Sequence, residues 1–306
     1  RTSICDEGQI MRSPLFYVGD KRKLIVEIKK FFPSNIRTFY EPFVGGGSVF
    51  MNTPAMQYVL NDINPHVISL HNLLCGFANQ QDLFLAQIKN IVNDYNLSFS
   101  FQKNNIPEDL KKAFPKTYFA EFNRKGYNQL KQDYNSSNVK APLVLYLLLI
   151  YGFNRILRFN SKGEFNVPVG NVDFNQHVYD AIIDYFNIVR QRSILWQNLD
   201  FRDFFLKNRI TKKDFVYLDP PYLITFSEYN KIWNHNLETS LLSTLDELDK
   251  KGIPFAISNV THYKNKTNEL FLKWSKNYSS HPIKSNYISY HDNSIKSFNE
   301  VLVTNY

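Results

Sequence analysis

Two hydrophobic periods alternate along this chain. Residues 22–32 place apolar side chains at helical spacing, and residues 38–43 form a short, largely apolar run of strand length. Gly45-Gly46-Gly47-Ser48 follows, and apolar residues then begin another helix. Residues 57–62 read as a second strand, and residues 65–74 as a helix opened by Pro65. The alternation returns late in the chain. Strands are expected at 193–197, 214–218, 254–259 and 300–306, with helices at 238–251 and 268–276, the first closed by Gly252. Buried strands that alternate with helices predict an α/β fold built on a mainly parallel sheet.

Between residues 78 and 177 the pattern changes. The chain there is rich in Asn, Lys and aromatic residues, and much of it reads as polar helix. Residues 143–151 are apolar throughout. They are too few to cross a bilayer and read as a buried helix following Pro142. The segment ends in Gly152-Phe153-Asn154-Arg155 through Gly163-Glu164-Phe165-Asn166, a hairpin around Asn160-Ser161-Lys162-Gly163. The simplest organisation is one α/β domain, 1–77 and 178–306, interrupted by an inserted module at 78–177. There is no internal repeat and no long linker.

Composition adds a partner class. The 306 residues are 43% hydrophobic, enough for a proper core. Net charge is +8, and 16% of the residues are aromatic. A basic, aromatic-rich chain suits nucleic acid, through phosphate contacts and base stacking. Cys5 and Cys75 are the only cysteines, which implies neither a disulfide framework nor a cysteine metal site. The seven histidines show no zinc-ligand spacing, so no metal is expected. The first residues lack an apolar signal segment, and a cytoplasmic protein without a membrane partner is expected.

Candidate chemistry concentrates at two places. In Val216-Tyr217-Leu218-Asp219-Pro220-Pro221-Tyr222 an apolar strand stops at an acid, two prolines and an aromatic ring. Prolines cannot donate to a ladder, so the strand must end there. The result is a carboxylate, stiff carbonyls and a ring at a strand end, a good grip for an amino group on a flat base. The second place is Phe43-Val44-Gly45-Gly46-Gly47-Ser48-Val49-Phe50. Its glycines permit close backbone approach to a ligand. The third glycine of a dinucleotide fingerprint would fall at Phe50, and no Lys-Ser/Thr follows for a phosphate loop. A ligand with ribose and adenine but no phosphate fits better. Asp62, ending the next strand, can accept from ribose hydroxyls. The bland alternatives are a tight structural loop and an N-cap or Asx turn at Asp62.

Four segments together resemble the Dam-type DNA adenine-N6 methyltransferases, whose recognition domain is inserted between the cofactor and catalytic motifs. Tyr17-Val18-Gly19-Asp20-Lys21 is similar to the amino-terminal cofactor motif, and residues 41–50 to the main AdoMet motif. Residues 154–168 are similar to the DNA-contacting hairpin, and Asp219-Pro220-Pro221-Tyr222 to the catalytic motif. The resemblance runs from about Leu15 to Tyr306. It implies a class I AdoMet-dependent methyltransferase, a Rossmann-like mixed seven-stranded sheet with an inserted, mostly helical DNA-recognition domain ending in a β-hairpin. It also implies that S-adenosyl-L-methionine is held by Tyr17, Lys21, Glu41, Phe43, Gly45, Gly47, Ser48, Asp62, Ile63 and Asp219. Ile63 would pack on the cofactor adenine. Two places depart from the pattern. Phe16 stands where the cellular Dam enzymes carry a lysine that helps read the outer base pair, and Tyr290-His291-Asp292-Asn293-Ser294 differs from close kin.

The expected reaction is methyl transfer to N6 of an adenine flipped out of duplex DNA. Asp219 and the Pro220 carbonyl would accept the two N–H bonds of the amine, and Tyr222 would stack on the base. Phe153 and Asn154 are candidates to fill the hole left in the duplex. Arg158 is the candidate for a guanine edge and Arg155 for a phosphate, with Lys162 adding charge at the hairpin tip. The partners are double-stranded DNA and AdoMet, with a cognate restriction endonuclease as a candidate companion and a monomer or weak dimer as the expected state. Adenine in RNA and cytosine N4 in DNA are the nearest rival substrates, and a catalytically inactive DNA-binding protein is the rival from another class. Phe50 argues against a NAD-linked oxidoreductase.

Overall fold

The computed structural model describes residues 10–17, 19–102, 106–225, 232–283 and 299–306. Cys5, Val18 of the amino-terminal motif and the Tyr290-to-Ser294 segment lie outside the described residues. The chain forms two compact units. One comprises Lys21–Asn64 and Arg192–Tyr306, and the other Met11–Asp20 and Pro65–Gln191.

The first unit carries the sheet. Its strands are β1 (Thr38–Glu41), β2 (Gln57–Asn61), β3 (Ser193–Gln197), β4 (Phe215–Leu218), β5 (Phe255–Tyr263), β6 (Lys266–Thr267), β7 (Ser279–Ile283) and β8 (Asn299–Thr304). The order is β3-β2-β1-β4-β5-β8-β7, with the two-residue β6 added to β5. β3 to β5 run parallel across β2, β1 and β4, while β8 is antiparallel to both β5 and β7. This mixed sheet has the architecture that the resemblance implies, with β6 as an added eighth strand. Every residue of β1 and β4 is buried, because helices cover both faces of a parallel sheet. One face packs Tyr40, Val216, Leu218 and Ile257 against Leu241 and Leu245 of helix His235–Lys250.

Sequence-based boundaries at 193–197 agree with the structure, and the others differ by a few residues. Residues 22–32 divide into a 3-10 turn, Lys21–Lys23, and a helix, Ile25–Lys29. β5 continues to Tyr263, beyond the expected 259. β7 went unpredicted because Ser279-Ser280-His281-Pro282 lacks apolar alternation. Proline is tolerated there because β7 is an edge strand.

The second unit is helical. Helix Pro142–Tyr151 is its core, buried without a break from Leu145 to Tyr151. Its tyrosines satisfy their hydroxyls inside the unit: Tyr146 donates to the Pro14 carbonyl (3.1 Å) and Tyr151 to the Ser98 carbonyl (2.6 Å). Helices Pro65–Phe77 and Gln176–Arg190 belong to this unit as well. The expected hairpin is present in minimal form. Phe159 and Phe165 make an antiparallel bridge, and the Asn160 amide donates to the Glu164 carbonyl at 2.9 Å. Gly163 closes the turn at φ 77°. Among the described residues no helix is long and apolar enough to cross a membrane.

Candidate active site

β1 and β4 are neighbours whose chain connections leave in opposite directions, β1 to β2 on one side and β4 to β5 on the other. In open α/β sheets such a switch point opens a crevice at the carboxyl ends of the strands. Glu41 ends β1, Asn61 ends β2, and Asp219 follows the last residue of β4.

Beyond β1 the backbone turns through Gly45 (φ 48°) and Gly47 (φ 83°), a left-handed conformation that costs glycine little. The turn is fixed by polar contacts from β2. The Val44 amide donates to the Asn61 carbonyl (2.8 Å), and the Gly45 amide to Asp62 Oδ2 (2.9 Å). Asp62 Oδ1 accepts from the Asn64 amide (2.9 Å). Asn61 is fully buried and saturated. Its Nδ2 donates to the carbonyls of Pro42 and Leu199, and its Oδ1 accepts from the Leu199 amide, each at 2.9 Å. One side chain thus ties the loops after β1, β2 and β3 together. Asn198 extends this by donating to the Asp62 and Ile63 carbonyls at 2.8 and 3.0 Å.

The resulting cradle fits an adenosyl group. Burial pushes the Asp62 carboxyl up to about 6, against the two amides that hold it down. Ile63 beside it is half exposed, an apolar surface ready for a flat ring. The Ser48 hydroxyl is buried and, among the described residues, has no hydrogen-bond partner. A buried polar group of that kind suits a ligand donor or acceptor. Phe43 packs edge-on to Trp233 with ring centroids 5.8 Å apart, which braces the same loop.

After β4 the side chains form a charged cluster. Lys21 Nζ is 2.9 Å from Asp219 Oδ2 and 3.5 Å from Glu300 Oε1. The Tyr222 hydroxyl is 2.8 Å from Asp219 Oδ1 and 3.1 Å from Glu300 Oε1, and the Lys21 ammonium stands 5.1 Å from the centre of the Tyr222 ring. Pro220 is buried and Pro221 half-buried. Burial raises the Glu300 carboxyl above its ordinary range; Lys21 opposes this, while Asp219 adds to it. Burial also raises the Tyr222 phenol well above its usual value, and Asp219 reinforces the effect. The phenol therefore stays a hydrogen-bond donor at neutral pH.

The structure thus brings Lys21, Asp219 and Tyr222 together, and it joins Asp62 to Gly45. Asn61 and Glu300 were missed by sequence reasoning. Asn61 sits inside an apolar strand, and Glu300 reads as the polar edge of the final strand. A buried-position acid beside Val301-Leu302-Val303 was the available signal.

Tyr17 and the hairpin residues belong to the second unit. Phe153 and Asn154 are exposed, and Asn154 adopts φ 52°. Lys162 is exposed at the turn. Arg158 is fixed by Asn166: its Nε donates to Asn166 Oδ1 (2.9 Å) and its Nη2 to the Asn166 carbonyl (3.0 Å). Arg155, expected to meet a phosphate, has a different immediate neighbour. Its guanidinium stacks over Phe16 at 4.0 Å, with Arg12 over the same ring at 4.4 Å. Desolvation lowers its pKa, and its Nε is buried.

Comparison with known proteins gives this arrangement a family. The model of the D12 class N6 adenine-specific DNA methyltransferases matches residues 17–288. The chain is similar to the type II methyltransferase M.FokI of Planomicrobium okeanokoites, 33% identical over 97% of this chain and 43% of that protein. It is similar to the modification methylase StsI of Streptococcus sanguinis, 35% identical over 97% of this chain and 43% of that one. The chain therefore spans less than half the length of these two relatives. The DNA adenine methylase of Salmonella typhi is 30% identical over 81% of this chain and 80% of its own length. With a family model over most of its length, a class I sheet and an acid-proline-proline-tyrosine segment at the switch point, the chain belongs to the D12 class of N6 adenine-specific DNA methyltransferases.

Proposed function

We propose that this chain transfers a methyl group from S-adenosylmethionine to N6 of an adenine flipped out of duplex DNA, at a specific sequence. The observation that carries the reading is the seating of Asp219. It lies at the carboxyl end of β4, at the switch point, charge-paired to Lys21 and hydrogen-bonded by Tyr222.

The N6 amine is a weak nucleophile because its lone pair is conjugated into the purine ring. Asp219 and the Pro220 carbonyl accept its two N–H bonds, draw the nitrogen towards a tetrahedral shape and localise the lone pair. Pro220 and Pro221 keep that carbonyl fixed, since their φ is locked. The cofactor supplies an already activated methyl group, so the protein's part is positioning and electrostatics. Gly45, Gly47, Ser48 and Glu41 form the cradle wall, Asp62 takes the ribose hydroxyls, and Ile63 packs on the adenine. Lys21 supplies the positive charge beside Asp219. Tyr17 is assigned to cofactor binding from the resemblance of its motif alone.

The inserted module at 78–177 is the target-recognition domain. Its hairpin presents Arg158 to a guanine edge, while Phe153 and Asn154 fill the space left by the flipped base. Lys162 adds charge near the backbone, and Arg155, stacked over Phe16, is assigned to a phosphate. The site of action is the cytoplasm of a bacterial or phage-infected cell. A cognate restriction endonuclease is the natural companion, in keeping with relatives named as modification methylases.

The test is methyl transfer from labelled S-adenosylmethionine to duplex DNA, with RNA as a parallel substrate and nucleoside analysis of the product. N6-methyladenine in DNA is the expected product. Asp219→Ala should lower the rate by on the order of 10²–10³ while leaving the fold intact. N4-methylcytosine, a preference for RNA, or residual activity within about tenfold of wild type would overturn the assignment.

A further inference from the structure

Each oxygen of Asp219 has a partner: Oδ2 meets Lys21 at 2.9 Å and Oδ1 meets the Tyr222 hydroxyl at 2.8 Å. A carboxylate oxygen can accept more than one hydrogen bond, but an incoming amine meets less competition at the oxygen whose partner can turn away. The Lys21 contact carries the charge balance of a partly buried carboxylate, so it is the costlier one to break. The Tyr222 contact is different, because its hydroxyl already lies 3.1 Å from a second acceptor, Glu300 Oε1. A phenol has one hydrogen, so it can point fully at only one of the two acids at a time. Rotation of the hydroxyl alone changes which acid receives it.

Glu300 is well placed to be that second acceptor. It sits on β8 opposite Val260 of β5 and Ile283 of β7, so its backbone is held from both sides. Its side chain is 3% exposed, and Lys21 at 3.5 Å supplies partial charge compensation. Burying a second carboxylate beside Asp219 is unfavourable, and an apolar residue would serve a purely structural role at less cost.

We propose that Glu300 is a positioning residue that draws the Tyr222 hydroxyl away from Asp219, opening Asp219 Oδ1 for the substrate amine. The idea rests on the methyl-transfer reading above. Lys21 stays between the two acids throughout, so Asp219 keeps its cation when the hydroxyl leaves. Glu300 acts through Tyr222 and does not itself touch the base.

The proposal predicts a dependence on the phenol that a structural acid would not show. Glu300→Gln should lower kcat by about tenfold or more, with KM for DNA and cofactor affinity within about threefold of wild type. In a Tyr222→Phe background, where no hydroxyl competes for Asp219, adding Glu300→Gln should change kcat by less than about threefold. Glu300→Asp, which keeps a carboxyl acceptor, should recover part of the loss. Thermal melting with and without S-adenosylmethionine identifies any variant that fails to fold, and the Glu300→Asp variant then carries the comparison with the Tyr222→Phe series. Wild-type kcat in Glu300→Gln, or the same loss whether or not Tyr222→Phe is also present, would overturn the proposal. Because these outcomes require an active wild type that needs Asp219, they are distinct from failure of the methyl-transfer reading, in which the wild type forms no N6-methyladenine.

Discussion

Lys21 and Asp219 form a partly buried ion pair, with Nζ 2.9 Å from Oδ2 and side-chain exposures of 8% and 20%. Lys21 opens the 3-10 turn Lys21–Lys23, and Asp219 follows β4, so the pair joins that turn to the candidate catalytic strand end. The same ammonium faces Glu300. One cation therefore stabilises two acids, and the geometry of the cluster depends on it.

Replacing Lys21 with Met should leave two neighbouring carboxylates without their cation. Removing one partner of a buried pair costs about 3–5 kcal/mol, and the partial exposure of Asp219 favours the lower end. The loss should be larger at neutral pH than in mild acid. Lys21 holds the Glu300 carboxyl down against burial, so without it that folded-state pKa rises further. The folded variant then binds a proton more readily than the unfolded chain, and its stability relative to wild type recovers as pH falls. Urea unfolding of both proteins at pH 7 and pH 5 checks this. An equal loss at both pH values would mean that Lys21 acts through packing.

Asp62 should impose a pH dependence on cofactor binding. Burial lifts its carboxyl to about 6 in the folded protein, from an ordinary value near 4. As pH falls through 6 the group takes up a proton and becomes a poorer acceptor for ribose hydroxyls. The S-adenosylmethionine-induced rise in melting temperature should shrink between pH 7 and pH 5. Asp62→Asn should give a smaller shift with little pH dependence. In the absence of cofactor the sign reverses. A raised folded pKa means that ionised Asp62 weakens the fold, so wild-type stability should fall relative to Asp62→Asn as pH rises from 4 to 7. Melting curves across that range, with and without cofactor, test both statements.

Much of the parallel half of the sheet was legible because its strands are continuous apolar runs broken by glycine or proline. Asp214-to-Leu218 is the clearest case, since Pro220 and Pro221 leave the strand only one place to stop. The acid at that stop and the glycines after β1 were legible for the same reason. What was not legible depends on distant partners. Glu300 and Asp219 meet through a hydroxyl 78 positions from one of them, and no local pattern encodes that. Asn61 looks like an interruption in a strand until three loops are brought to it. The Phe16 ring beneath Arg155 was likewise not legible, because sequence shows the charge and not the distant ring.

Gly126 gives a prediction in which helix propensity and packing disagree in sign. It lies inside helix Tyr118–Ser136, where exchange for Ala ordinarily stabilises by about 1 kcal/mol. A Cβ built there would collide with the Tyr95 carbonyl oxygen and sit 3.2 Å from Leu97 Cδ2. The first obstacle is backbone, which cannot swing aside as a side chain would. Gly126→Ala should therefore destabilise the protein by about 1–3 kcal/mol, as overpacking does. A lower denaturation midpoint is the expected result, and a higher one would show that the two segments separate freely.

The hairpin should separate reading from positioning. Arg158 is held by two hydrogen bonds to Asn166, which fix its guanidinium plane before any DNA arrives. A fixed fork suits bidentate pairing to a guanine edge, because less freedom is lost on binding. Arg158→Ala should then cost about 1–3 kcal/mol on the cognate duplex and relax discrimination at one base pair. Asn166→Ala, which frees the guanidinium without removing it, should produce a weaker loss at that same base pair. Lys162, exposed at the turn, should behave as a backbone contact. Lys162→Ala should weaken all duplexes alike and lower the salt slope by about one unit. Binding to the cognate duplex and its single-base variants at two salt concentrations tells these apart. If Arg158→Ala weakens every duplex equally, Arg158 positions the DNA and another residue reads it.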